Sequence, residues 1–277
     1  MNRKSVILIV IGGILMVQGT AVAGKIDNEI QTIFREGGQA AADTVTADDL
    51  RGLPVPVQRW LQFAGIIGKP EAVSVRLKQE GYFRRSPEGK WMPYTAEQYY
   101  TTDVPAFIWR ARIKAAPLFW LKVRDRYFHG KGNMWIRLWG LITVGDMTDP
   151  KLDQGTLLRY LNETMWFPSA ALNEFITWEA IDDTSARATM EYKGVKASAV
   201  FFIDDQGRIT NMVADRYREV NGEFEMNQWS TPISEYKTFH GIAIPAKGKG
   251  VWNLEDRQFD YIRLEITDIE YNVPEIY

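Results

Sequence analysis

Cysteine is absent from the 277 residues, and histidine occurs only at His129 and His240. The first absence removes thiol nucleophiles, disulfides, thiolate metal sites and a cysteine-linked lipid anchor together. The second confines any histidine-based triad to two residues. Each stands directly before a glycine, Gly130 or Gly241, where a turn is expected. No excess of positive charge exists either: the net charge is −2, so nucleic acid is not an expected partner. No G-x-S-x-G element occurs. GKGN (130–133) and GKGV (248–251) lack the phosphate-loop pattern and read as strand turns. Asp146, Asp149 and Asp153 do not have the spacing of a calcium loop. Asp153 reads as a helix N-cap and Asp149-Pro150 as a turn. Ser169 has no visible base beside it. No metal and no cofactor is expected.

What the chain does hold is apolar and aromatic. It is 45% hydrophobic, with 10 Trp, 12 Tyr and 13 Phe. That is the composition of a folded protein rich in strands. The first residues are laid out as a secretory leader: Arg3 and Lys4, an apolar run from Val6 to Val17, then Ala21-Val22-Ala23. Residues 1–23 are therefore expected to be a signal peptide cleaved after Ala23, or else a membrane anchor over residues 5–23. Either reading exports the rest, to the periplasm or the outer side of the membrane.

Residues 24–50 read as a helical lead-in and linker, with Ile26, Ile30, Ile33 and Phe34 at helical spacing. Two short helices follow, the second starting near Pro56 and ending at Gly65. Residues 51–277 read as one domain. From Val73 onward the periodicity is two, and about ten or eleven strands are expected. MWIRLWGLITV is taken as one strand, and so is 223–239. A helical insert falls near 153–173. The fold class is mainly β (α+β): a strongly curved antiparallel sheet or half-barrel wrapped around a few short helices.

Within the insert, RYLNETMWFPSAAL (159–172) carries one acid, Glu163. With Leu161 at zero degrees, Leu157, Leu158 and Met165 share its helix face, while Arg159 falls near about 160 and Glu163 near about 200 degrees. Arg159 and Glu163 are thus expected to form a solvated i, i+4 pair on the back of the helix. Trp166 and Phe167 close it before Pro168. Strands 107–114 and 118–128 read as a hairpin. Arg110, Arg112 and Lys114 share one of its faces, as do Lys122, Arg124 and Arg126. In register they make one basic patch, which needs neutralising acids, for example Glu80, Glu97, Glu223 or Glu225. Unneutralised, it would suit an anionic membrane surface.

The run Arg159-Tyr160-Leu161, Glu163, Trp166-Phe167-Pro168 resembles an uncharacterised bacterial family of exported or membrane-anchored proteins. The resemblance continues through Trp178, Asp182-Asp183, Ala186 to Thr189, Asp204, Gly207, Arg216-Tyr217, Trp229, Tyr236, Gly241, Pro245, Trp252 and Tyr271, over roughly residues 50–277. That family brings no catalytic residues with it. In its order of strands, helical insert and strands the chain is also similar to the half-barrel lipoprotein carriers of the LolA/LolB type, which hold acyl chains.

The function expected from these readings is binding or carriage of an apolar ligand, such as a lipid or acyl chain. Trp135, Trp139, Trp166 and Phe167 would line the site, with Arg159, Glu163 and Arg216 at its mouth. Trp135 and Trp139 are taken to share one strand face. The rival readings are a hydrolase or isomerase using Glu163 with Asp183 or a histidine, and a ligand-free interaction module.

Overall fold

Five pairs of adjacent residues with positive φ reverse the chain: His129–Gly130, Trp139–Gly140, Lys193–Gly194, Asn221–Gly222 and His240–Gly241. A two-residue hairpin of the primed type needs φ above zero at both central residues, and glycine at the second adopts it without steric cost. The two histidines are thereby turn residues. The computed structural model describes residues 24–39 and 41–277, and the expected leader, residues 1–23, lies outside them.

A helix, α1, covers residues 24–37. Helix α2, Val55–Ala64, follows and stops at Gly65, whose φ of 74° is left-handed. Six strands come next: β1 (Ser74–Phe83), β2 (Met92–Thr101), β3 (Ala106–Ala116), β4 (Phe119–Phe128), β5 (Lys131–Leu138) and β6 (Ile142–Met147). Helix α3 spans Pro150–Glu163 and runs into 3-10 turns at Thr164–Trp166 and Pro168–Leu172. The second set of strands is β7 (Ile176–Asp182), β8 (Ser185–Tyr192), β9 (Val195–Ile203), β10 (Ile209–Val220) and β11 (Glu223–Ser230). The last three are β12 (Ile233–Phe239), β13 (Ile242–Asn253) and β14 (Gln258–Tyr271).

All fourteen strands belong to one antiparallel sheet of order β6-β5-β4-β3-β2-β1-β14-β13-β11-β10-β9-β8-β7, with β12 beside β13. This is a curled half-barrel, as the sequence implies. The strand count exceeds the expected ten or eleven for local reasons. Trp139–Gly140 splits MWIRLWGLITV into β5 and β6. Residues 223–239 break before Ile233, at Thr231-Pro232, where proline has no N–H for the ladder. Strand β7 is additional. GKGV is interior to β13 rather than a turn; a Cβ on Gly250 would fall 2.8 Å from Ile262.

The pleat sorts each strand between two cores. Tyr94, Ala96 and Tyr100 of β2 join the inner core around α2 and α3, with Trp60, Phe107, Tyr160, Phe167 and Phe201. Tyr99, between them in sequence, joins an outer core with Ile108, Trp135 and Ile26, Ile30, Ile33 and Phe34 of α1. So α1 covers the outer face of β2–β5, and the insert fills the inner face. Helix α3 starts at Asp149, whose carboxylate accepts from the Lys151 N–H at 2.7 Å, with Pro150 in its first turn. The N-cap is therefore Asp149, not Asp153. Asp153 is buried and accepts from the Gly132 N–H at 2.7 Å. Glycine is needed at 132 because a Cβ there would sit 2.5 Å from the Thr156 hydroxyl and 2.8 Å from the Leu152 carbonyl.

Candidate functional site

Glu163 is 4% exposed. The solvated pair expected on the back of the helix is a buried one, because the sheet wraps the polar side of α3 as well as its leucine side. Arg159 donates from Nε to Glu163 at 2.8 Å and from a terminal nitrogen to Asp125 of β4 at 2.6 Å. The guanidinium lies 4.9 Å from the Phe107 ring and 5.2 Å from the Trp109 ring. The other Glu163 oxygen accepts from Gln98 Nε2 at 2.8 Å and from the Tyr100 hydroxyl at 3.0 Å. Gln79 donates to Gln98, and Tyr94 to Gln79, both at 3.2 Å. Burial raises the Glu163 pKa, while Arg159, Tyr100 and Gln98 pull it back. Burial alone would lower that of Arg159, but Glu163 and Asp125 outweigh it and the pKa is raised. One cation thus faces two carboxylates in the buried interior, with Asp125 Oδ1 buried and without a partner among the described residues.

The sequence missed Gln79, Gln98, Tyr100 and Asp125. The signal was there in β4: V-R-D-R-Y places Asp125 on the same face as Val123 and Tyr127, an acid on an apolar stripe. Gln98 sits likewise between Ala96 and Tyr100.

The residues expected to line a ligand site do not converge. Trp166 and Phe167 are packed in the inner core, where Phe167 meets Tyr100 with ring centroids 4.7 Å apart. Trp135 is on the opposite face, under α1. Trp139 shares no strand face with it, because it is the first residue of a turn, with φ 54° and its ring against Phe119. Arg216 lies on β10 with its guanidinium over Trp229. The partners named for a hydrolytic Glu163 are elsewhere. Asp183 is in the exposed β7–β8 turn, its carbonyl bound by Arg59. His129 pairs with Glu36 of α1, and the His240 carbonyl faces Lys69. Ser169 accepts from the Ala72 N–H. The three aspartates of GDMTDPKLDQG do separate work, since Asp146 accepts from Asn133.

Of the six cations on the outer face, the register sets Arg110 opposite Arg124 and Arg112 opposite Lys122 as expected, while Lys114 faces Trp120 and Arg126 faces Ile108. Half of them are neutralised, chiefly by residues the sequence did not single out. Arg110 binds Asp27 of α1 and Glu97 of β2. Arg124 and Arg126 bind Glu29 of α1 at 3.2 and 3.3 Å. Of the acids expected there, only Glu97 takes part. Beyond α1, the ladder sets Arg112, Lys122 and Arg137 side by side on three adjacent strands. Among the described residues none of these three, nor Lys114, has a carboxylate within 4.0 Å. Arg112 stacks on Trp120 at 4.7 Å.

This cationic row borders a groove of about 730 Å³. Arg112, Lys114, Phe119 and Trp120 form one wall, Tyr82 and Pro93 the floor, and Lys247, Arg263 and Glu265 the far wall. Leu118 at the β3–β4 tip is 82% exposed, and Phe119 46%. Ile142 and Val144 of β6 are also exposed. No described helix is long and apolar enough to cross a membrane.

Residues 43–264 match a family of unknown function, DUF6544, and the chain belongs to that family. A comparison with curated protein sequences finds no match. Among solved structures, one described as an outer membrane lipoprotein-sorting protein domain from Vibrio parahaemolyticus is similar at 9% identity and a TM-score of 0.42. It covers 72% of this chain and 86% of its own. A LolA superfamily protein from Nitrosomonas europaea gives 11% identity and a TM-score of 0.43, over 79% of this chain and 94% of that one. These likenesses are of outline alone.

Proposed function

We propose that this member of the DUF6544 family is an exported protein that binds an anionic amphiphile, a lipid or an acyl chain with a negative headgroup, on the outer face of its sheet. The observation that carries the reading is the row Arg112, Lys122 and Arg137. Like charges directly opposite one another on a sheet are destabilising, and three in a row without a carboxylate call for an external anion. The exposed side chains around them are of the other kind an amphiphile needs: Leu118, Phe119 and Tyr82 are apolar or aromatic. The groove gives an acyl chain a place to lie, and each buried methylene contributes about 0.8 kcal/mol. The leader-like residues 1–23 are consistent with a setting beside a membrane.

The packed inner face argues against the concave side as the place for the chain. Glu163, held by Arg159, Gln98 and Tyr100, acts in this reading as part of the framework that fixes α3 in the sheet.

The test is binding to vesicles of phosphatidylcholine with and without phosphatidylglycerol. Each cation near an anionic surface contributes about 1 kcal/mol. The triple change Arg112→Ala, Lys122→Ala, Arg137→Ala is therefore expected to weaken binding by about 100-fold. Equal binding to neutral and anionic vesicles, or an unchanged affinity in the triple variant, would sink the proposal.

A further inference from the structure

Residues 115–121 read AAPLFWL and residues 138–142 read LWGLI, and neither run holds a charged side chain. They form the β3–β4 and β5–β6 hairpin tips, at the same end of adjacent strands. Ala115 to Phe119 are exposed in succession, with Leu118 foremost at 82%. Ile142 and Val144 extend the patch at 53% and 57%. A contiguous exposed apolar run does nothing for the fold and marks a surface that something else covers. Leu118 also holds φ at 66°, in the left-handed region that leucine seldom adopts. Neither packing nor backbone preference accounts for a leucine there. Trp139 clamps the two tips together. Its backbone N–H donates to the Trp120 carbonyl at 3.0 Å, its indole N–H donates to the Leu118 carbonyl at 2.9 Å, and its ring lies 5.3 Å from that of Phe119. Pro117 has no N–H to satisfy. With these groups bonded inside the protein, the tips can leave water at little cost in lost hydrogen bonds.

We infer that these two tips are a membrane-docking surface, which inserts Leu118, Phe119, Trp139 and Ile142 into the outer part of a bilayer with anionic headgroups. Charge selects this partner. Lys114, Lys122 and Arg137 bracket the tips, and with Arg112 they are the cations without a carboxylate partner among the described residues. A second copy would bring the same cations with it, whereas anionic headgroups neutralise them. Leu118 lies four residues from Lys114 and from Lys122, about 13 Å of extended strand. An interfacial element sits about 5–10 Å into the headgroup boundary, so the lysines stay among the headgroups while Leu118 reaches the acyl chains. Trp120 and Trp139 suit the level between, where an apolar ring and a polar edge are both met. Leu118 and Phe119 also line the groove, so docking this way sets its mouth against the membrane. The anionic lipid rests on the reading above, which this deepens; the insertion is tested apart from it.

The absence of cysteine makes a single-site label clean. Leu118→Cys in the full chain carries the fluorophore NBD, whose emission rises and moves to the blue on leaving water. Asp103→Cys, exposed in the turn at the far end of β3, carries the same label as the control. The vesicles are phosphatidylcholine with and without phosphatidylglycerol. The label at 118 is expected to respond to anionic vesicles, and the label at 103 to stay silent. A third label, on Ile142→Cys, is followed with and without Leu118→Asn. Asparagine takes a positive φ more readily than leucine, so that variant is expected to fold. Loss of one buried leucine should raise the vesicle concentration for half-response at Ile142→Cys by about tenfold or more. Equal responses at 118 on neutral and anionic vesicles would keep the inserted tip and sink the reading of the cationic row. A silent label at 118 on anionic vesicles that carry the protein would overturn the inserted tip and leave the groove reading standing. The inserted tip is also overturned by an equal response at 103, or by an unchanged Ile142→Cys response in Leu118→Asn. A signal that needs no vesicle and grows with protein concentration would overturn it too, as the mark of a second copy.

Discussion

The two faces of the β3–β4 hairpin treat the same kind of residue in opposite ways. On the inner face, Arg159 of α3 reaches Asp125 and is shared with Glu163, and almost every polar atom around it is bonded. On the outer face, Arg124 and Arg126, the immediate neighbours of Asp125, find only Glu29 of α1 among the acids. Further along that face, Arg112 and Lys122 find no acid among the described residues. One residue step in a strand thus separates an interior with two carboxylates per cation from a surface with cations to spare. The lesson is that charge on this sheet follows what packs on each face. Where a helix lies, its acids close the account; where none lies, the charge remains available.

The largest expected effect comes from breaking the inner side of this contrast. Arg159→Met would leave Asp125 and Glu163 as two buried like charges, and removing one partner of a buried pair costs about 3–5 kcal/mol. A urea midpoint close to that of the wild type would show that the cluster is less dry than its burial implies. A smaller effect is expected on the outer side. Asp27→Asn with Glu29→Gln removes the counter-ions that α1 brings to the partly exposed Arg110 and Arg126 and to the buried Arg124, at about 2–3 kcal/mol because the amide oxygens still accept. The same double change adds Arg126 to the free cationic row and leaves Arg110 with Glu97 alone, so binding to anionic vesicles should tighten as stability falls. A change in one without the other would separate the two roles of α1.

The smallest effect is a slope. The Glu163 pKa is raised in the fold, so the native state holds this proton more tightly than the unfolded chain does. As pH rises from about 4.3, the unfolded carboxyl ionises first. Stability therefore falls with pH until the buried group ionises too. Glu163→Gln should flatten that fall between mildly acidic and neutral pH. An unchanged profile of urea midpoints against pH would place the titration elsewhere.

Much of the frame was legible. Alternation in VSVRL, the glycine after Lys193, and Gly65 at the end of α2 each set a local conformation that tertiary packing then kept. The insert was legible as a helix but not as a buried one. A helical wheel assigns a wet side to any helix with polar residues, and it has no term for a sheet that closes over that side. For Glu163 this inverted the outcome. The site residues fared worst for a related reason. Trp135 and Trp139 are four apart and look alike, yet the chain turns at Trp139–Gly140, which only the hairpin pattern of the other X-Gly pairs could have betrayed. Counter-ions from α1 were out of reach, because Asp27 and Glu29 meet arginines about a hundred positions later through packing alone.

Strands β1 to β6 each lie beside their neighbours in sequence, and so do β7 to β11, apart from the helices between them. The two meanders meet through β13 and β14, and β1 finds its second partner only in β14, with Val75 opposite Tyr271. During synthesis either meander can form as its own strands emerge, but the seam waits for the final segment of the sheet. A nascent chain lacking β14 has two unjoined β-edges and no continuous wall, so the order of translation itself delays completion of the sheet.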